Sequence, residues 1–174
     1  FFLDKKFPKK NTRSNSMTYR HNPKMMANYN RIITRTGIPG QFRNFKFNNG
    51  GWKGSKREDC VMRAISIATE KPYLEVFNAL LIWAKGSKNL PNNKKTYMPY
   101  LNALGWKWKP TMGIGTGCKV HLKASELPGG RLICRVSKHL VAVIDGVIHD
   151  TYNPSRDETR CVYGYFYKEK NNAR

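Results

Sequence analysis

The chain has 174 residues, 40% of them hydrophobic and 12% aromatic, with 32 Lys+Arg against 11 Asp+Glu and a formal charge of +21 at pH 7. Those totals exclude a disordered polymer and a pair of full-sized domains, and they fit one domain with its own core plus an appendage. No apolar run reaches the roughly 18 residues of a membrane span, and Cys60, Cys118, Cys134 and Cys161 show no C-x-x-C pairing and follow no secretory segment, so reduced thiols in an intracellular setting are expected.

Charge divides the chain. Residues 1–57 hold 14 Lys+Arg and one acid, Asp4, whereas residues 58–174 hold 18 and 10, so the first third carries +13 of the +21. Residues 1–53 read as a basic, partly extended arm: rich in Asn, Lys, Arg and Gly, with isolated aromatics and no sustained period of 3.6 or 2.0. Such an arm is a solvated tail, a strand-like segment lying on nucleic acid, or a segment docked on a protein neighbour. On nucleic acid, Lys5, Lys6, Lys9, Lys10, Arg13, Arg20, Lys24, Arg31, Arg35, Arg43 and Lys46 are the candidate phosphate ligands, with Phe and Tyr available to stack.

From Asp59 the pattern is helical. Val61, Met62, Ala64, Ile65, Ile67 and Ala68 recur at helical spacing behind Glu58 and Asp59, acids placed where a helix N-terminus favours them. A second helix is predicted from Thr69 as cap and Pro72 near its first turn to the Lys85-Gly86 stop, and a short third one from Thr96 to Leu104. Trp106 to Lys109 is a short strand, and GIGTG at 113–117 is a turn lacking the strand and helix that a phosphate loop needs. Beyond Pro128-Gly129-Gly130, the runs RLICRV, HLVAVI, VIHDTY and CVYGYFY are strands, which gives an α+β order of arm, helices and antiparallel sheet, with a basic tail at 169–174. Cys118, Cys134 and Cys161 read as structural, and a zinc site on Cys118 and His121 lacks two further ligands at any recognisable spacing, so neither metal nor cofactor is expected.

Asp145-Gly146 between two alternating apolar runs predicts a hairpin with a two-residue type I′ turn. That turn sets the register: Val141 faces Asp150, His139 faces Tyr152, and these four share one face, with His139 diagonal to Asp150 and His149 on the other face. A histidine beside a carboxylate, with Cys60 at a helix N-terminus upstream, is what a thiol nucleophile requires. The helix dipole and an imidazolium favour the thiolate, the imidazole moves the proton, and the carboxylate orients the ring. Asn153 is the second choice for the orienting group if the hairpin loop is longer.

DCVMRAISIAT, EKPYLEVFNAL and KHLVAVIDGVIHDTYNP together resemble the papain-like cysteine peptidase superfamily, and within it the bacteriocin-processing peptidases and small papain-like proteins of phages and bacteria. The resemblance covers about residues 54–167, within a domain read as 54–168. It implies helices carrying the nucleophile packed on an antiparallel sheet, with Cys60 as nucleophile, His139 as base and Asp150 as orienting group. It also implies a peptide or protein substrate and a phage-related setting, in the host cell or inside the particle. The superfamily places an oxyanion-stabilising Gln about six positions before the nucleophile; here position 54 is Gly and the sole Gln of the chain is Gln41. Asn48, Asn49, Ser55 or backbone N–H groups at Cys60 are the substitutes. The expected function is therefore a cysteine peptidase or amide hydrolase whose arm binds nucleic acid or an acidic partner. The other reading is a non-catalytic papain-like module in a nucleoprotein or virion assembly.

Overall fold

The computed structural model describes residues 44–54 and 58–169. The arm cations from Lys5 to Arg43, residue Ser55 and the tail beyond Glu169 lie outside the described residues. The elements are β1 (Phe45–Phe47), α1 (Cys60–Thr69), α2 (Tyr73–Ser87), α3 (Lys94–Ala103), β2 (Lys107–Pro110), a 3₁₀ turn at Ala124–Glu126, β3 (Arg131–Val136), β4 (His139–Ile144), β5 (Val147–Asp150) and β6 (Val162–Tyr167).

The class is α+β, with three helices packed on a six-stranded sheet of order β1-β5-β4-β3-β6-β2. The sheet is mixed rather than antiparallel, because β1 runs parallel to β5, pairing Phe45 with Ile148 and Phe47 with Asp150. This strand was read as arm, and it carries Lys46. Three residues flanked by Asn and Gly give no periodicity; a parallel partner a hundred residues away supplies the pairing instead. Residues 44–54 thus belong to the domain.

Strands β3, β4 and β6 are buried on both faces, which explains their near-continuous apolar runs. Ile133, Leu140, Ala142 and Phe166 meet Ile65, Val76, Leu80 and Leu101 of the helices on one side. Val141, Val143, Val136 and Val162 meet Leu122 and Leu127, from the loop between β2 and β3, on the other. Gly164 lets β2 close over β6: a Cβ there would stand 2.3 Å from the Trp108 indole.

Helix boundaries shift slightly from expectation. Thr69 closes α1, its hydroxyl bonding back to the Ile65 carbonyl, and Pro72 rather than Thr69 precedes α2. That helix runs past Gly86 and stops at Lys88, in the left-handed region, with its N–H on the Ala84 carbonyl. The Asn93 side chain caps α3, which starts at Lys94, two residues before the predicted Thr96. The hairpin is as expected: Asp145 and Gly146 both have positive φ, and Ile144 pairs with Val147.

Cys118 and Cys161 are not free structural thiols but a disulfide, their Cα atoms 5.7 Å apart. A β-bridge between His121 and Cys161 brings the two segments together, a pairing that local sequence pattern does not encode. The His121 ring approaches both sulfurs, yet these are bonded to one another, and Nδ1 is 3.0 Å from Glu126. The bridge spans 43 residues, so reducing it should cost roughly 4 kcal/mol in the chain-entropy account. A thermal melt with and without dithiothreitol should show Tm falling by on the order of 10 °C; coincident melts would contradict the pairing.

Candidate active site

The site begins with Arg63, one turn into α1. Its Nε donates to Asp59 Oδ1 at 2.8 Å and Nη2 meets Asp59 Oδ2 at 2.8 Å. Nη1 donates to the carbonyls of Asn49 (2.7 Å) and Trp52 (3.1 Å), and Nη2 also to that of Gly54 (3.0 Å). The guanidinium thereby uses its whole donor fork. The Tyr73 hydroxyl adds a 3.3 Å contact to Asp59 Oδ2, and the Trp52 indole stacks on the Tyr73 ring, centroids 5.0 Å apart. Asp59 was expected to serve the helix terminus; its side chain caps no N–H and is committed to Arg63. The loop 49–54 and the start of α1 are consequently one unit, and Cys60 is the first residue of the helix.

Gly54 stands at the position where the sequence resemblance led to the expectation of a Gln. A Cβ at this position would lie 2.5 Å from Trp52 Nε1, so no larger residue fits beneath the indole as packed. Trp52 Nε1 itself is buried without a hydrogen-bond partner among the described residues. Asn48 and Asn49 are engaged elsewhere, the former with His149 and Gly50, the latter with Gly51.

His139 opens β4, and its Nε2 lies 2.6 Å from Asp150 Oδ2. The imidazole and the Cys60 side chain line the same cleft, and Cys60 is close enough to act on the ring's charge. With Nε2 held by Asp150, Nδ1 is the nitrogen left for sulfur. Asp150 is buried, its Oδ1 accepting from the Thr151 backbone N–H at 2.6 Å. The half-exposed Tyr152 ring covers the imidazole, centroids 5.3 Å apart. Burial, the largest single influence on His139, opposes its charge; the Asp150 hydrogen bond and charge, with Cys60 beside the ring, outweigh it and raise the imidazole to about 9. The structure thus brings Cys60, His139 and Asp150 together.

The remaining candidates lie elsewhere. Asn153 accepts from the Ser155 N–H. On the opposite face of the hairpin, His149 is kept below its ordinary pKa by burial, then by Lys46 and Arg131. Cys134 is fully buried in the sheet, and burial pushes its thiol far up.

A cleft of about 390 Å³ opens over the thiol, lined by Cys60, Tyr97, Arg135, Lys138 and His139 among others. Tyr97 and Arg135 were not singled out from sequence. Tyr97 belongs to the apolar face of α3, and its ring stands edge-on to Phe166. Its phenol is raised by burial first, with Arg135 lowering and Cys60 raising it, so it holds its proton at neutral pH. A larger cavity of about 600 Å³ lies at the other end of α1, around Thr69, Trp106 and Tyr167, and shares no residue with the cleft. The chain matches no family model, no curated protein and no solved structure.

Because the folded imidazole titrates above its ordinary value, its charge contributes stability that is complete below about pH 6.5 and lost as pH rises towards about 9. Denaturant unfolding across that window should show a decline on the order of 3 kcal/mol that His139→Gln removes; an identical slope in the two proteins would contradict the assignment.

Proposed function

We propose that the protein is a papain-like cysteine peptidase or amide hydrolase. The observation that supports this reading is that His139, hydrogen-bonded to Asp150, shares a cleft with Cys60, whose thiol stands on the first residue of a helix. An imidazolium and a helix N-terminus both favour negative charge on sulfur. The sulfur attacks the carbonyl carbon of an amide, and the C–O π pair moves to oxygen. Collapse breaks the C–N bond, and His139 gives its proton to the departing amine. Water, deprotonated by His139, then cleaves the thioester and returns the thiol. Asp150 holds the ring in place and offsets its charge throughout.

The oxyanion needs donors, and Gly54 offers no side chain. The backbone N–H of Cys60 is one candidate, since the first N–H groups of a helix have no partner within it. The second is the Tyr97 hydroxyl, which lines the cleft and makes no hydrogen bond among the described residues. On this reading the basic arm is a tether to nucleic acid or an acidic partner in a phage-related setting. The competing reading keeps the fold without the chemistry.

p-Nitrophenyl acetate separates the two. The wild-type protein should release a burst of nitrophenolate with acetate on Cys60, visible as a mass shift on that peptide, and Cys60→Ala should abolish it. His139→Ala and Tyr97→Phe should each slow acylation tenfold or more. Acetylation of the wild type no faster than that of Cys60→Ala would leave the non-catalytic module.

A further inference from the structure

The cleft over Cys60 carries charge that the fold does not need. Lys94, Arg135 and Lys138 line it, with Glu58 as the sole acid of its lining. None of the three cations is in an ion pair among the described residues, although the basic residues elsewhere on the sheet and helices often are: Arg131 with Glu70, Lys71 with Glu75, Lys107 with Glu169.

Arg131 and Arg135 show the contrast most directly. Four residues apart on β3, they emerge on the same face, beneath opposite ends of α1. Arg131 donates to the carbonyls of Ile67 and Ala68, at the C-terminal end of the helix, where a cation is favoured. Arg135 shares the cleft with Cys60, the first residue of the same helix, where a cation is disfavoured. Stabilising α1 therefore accounts for Arg131 and not for Arg135.

The local backbone instead supports Arg135 as a cleft residue. The pairing of β3 with β6 shifts register there: Arg135 pairs with Gly164 and Val136 with Val162, leaving Tyr163 as the extra residue of a bulge. The guanidinium carbon lies 5.9 Å from the centroid of the Tyr163 ring. A bulge beside a reactive group re-aims side chains, and a ring beneath a guanidinium restrains it without neutralising it. What the cleft lacks is the carboxylate that such a fork would hold.

We propose that the cleft selects substrates bearing a carboxylate next to the scissile carbonyl, an acidic peptide side chain held by Arg135 with Lys94 and Lys138 around it. This inference rests on the reading of Cys60 as nucleophile and names the substrate class of that site. The lysines supply long-range attraction; Arg135, half-buried, supplies the directional contact.

Acetyl-Glu and acetyl-Gln fluoromethyl ketones are near-isosteric and differ in one charge, and both alkylate an active-site thiol with loss of fluoride. The rate of each at Cys60, followed by mass spectrometry of the full chain, should favour the Glu reagent about tenfold or more, as a charged hydrogen bond warrants. Arg135→Met should bring the Glu:Gln ratio towards one, and Arg135→Lys should restore part of it. Because an unfolded fraction would also bring the ratio towards one, the partial recovery in Arg135→Lys is the result that assigns the preference to the cation. Equal labelling of wild-type Cys60 by both reagents would overturn the acidic preference while leaving the nucleophile standing. Failure of both to label Cys60 would remove the nucleophile and this inference with it. Protection of Cys60 by a thymidine oligonucleotide, without Glu/Gln discrimination, would assign the cations to phosphate and also overturn the proposal.

Discussion

Arg63 and Asp59, four residues apart across the start of α1, form a buried ion pair whose remaining guanidinium donors go to the carbonyls of Asn49, Trp52 and Gly54. Burying two charges is unfavourable unless the geometry repays it, and losing one partner of such a pair typically costs about 3–5 kcal/mol. Here the geometry is complete, so the loop before Cys60 and the first turn of α1 hold a single arrangement. Tyr73 links the same cluster to α2 through its contact with Asp59 and its stack on Trp52. The position of the thiol is thus set by a polar cluster, and the apolar core of α1 only carries it.

The second half of the site depends on a strand end. His139 is the first residue of β4, on the face of the hairpin it shares with Asp150, and α1 begins beside it. A strand interior would have given the ring an apolar neighbour on each side; the end gives it a carboxylate, a thiol and the cover of Tyr152. Asp150, with Cys60 nearby, favours the charged ring against the opposing effect of its burial. The helix above the sheet is polarised in the same sense, with Arg131 on its C-terminal carbonyls and the thiol at its N-terminus.

Much of this was legible in the sequence, for reasons particular to each element. Asp145-Gly146 fixed a register by turn geometry alone, and that register put His139 with Asp150 and turned His149 away. The run from Val61 to Ala68 repeated at helical spacing, so α1 and the place of Cys60 on it could be read directly. What escaped was non-local. The strand Phe45–Phe47 is defined by a parallel neighbour rather than by its own pattern, and the Cys118–Cys161 bond by a bridge between distant loops. Tyr97 was hidden on the apolar face of α3, where it looks like any core aromatic. Arg135 did leave a signal, a charge amid the apolar run RLICRV, but an arginine in a chain of +21 draws no notice. The arm cations from Lys5 to Arg43, most of the nucleic-acid ligands expected, lie outside the described residues, and Lys46 stands on an edge strand of the domain.

The central claim is that His139 makes Cys60 reactive, and alkylation by iodoacetamide tests it without requiring a substrate. Cys134 is fully buried and Cys118 is bonded to Cys161, so Cys60 is the accessible free thiol among the described residues. At pH 6, where an ordinary thiol with pKa about 8.5 is almost wholly protonated, the account predicts that Cys60 is alkylated at least tenfold faster than N-acetylcysteine, and that His139→Ala abolishes the difference. Equal, slow alkylation of Cys60 in both proteins would contradict it and make the cysteine a packing residue.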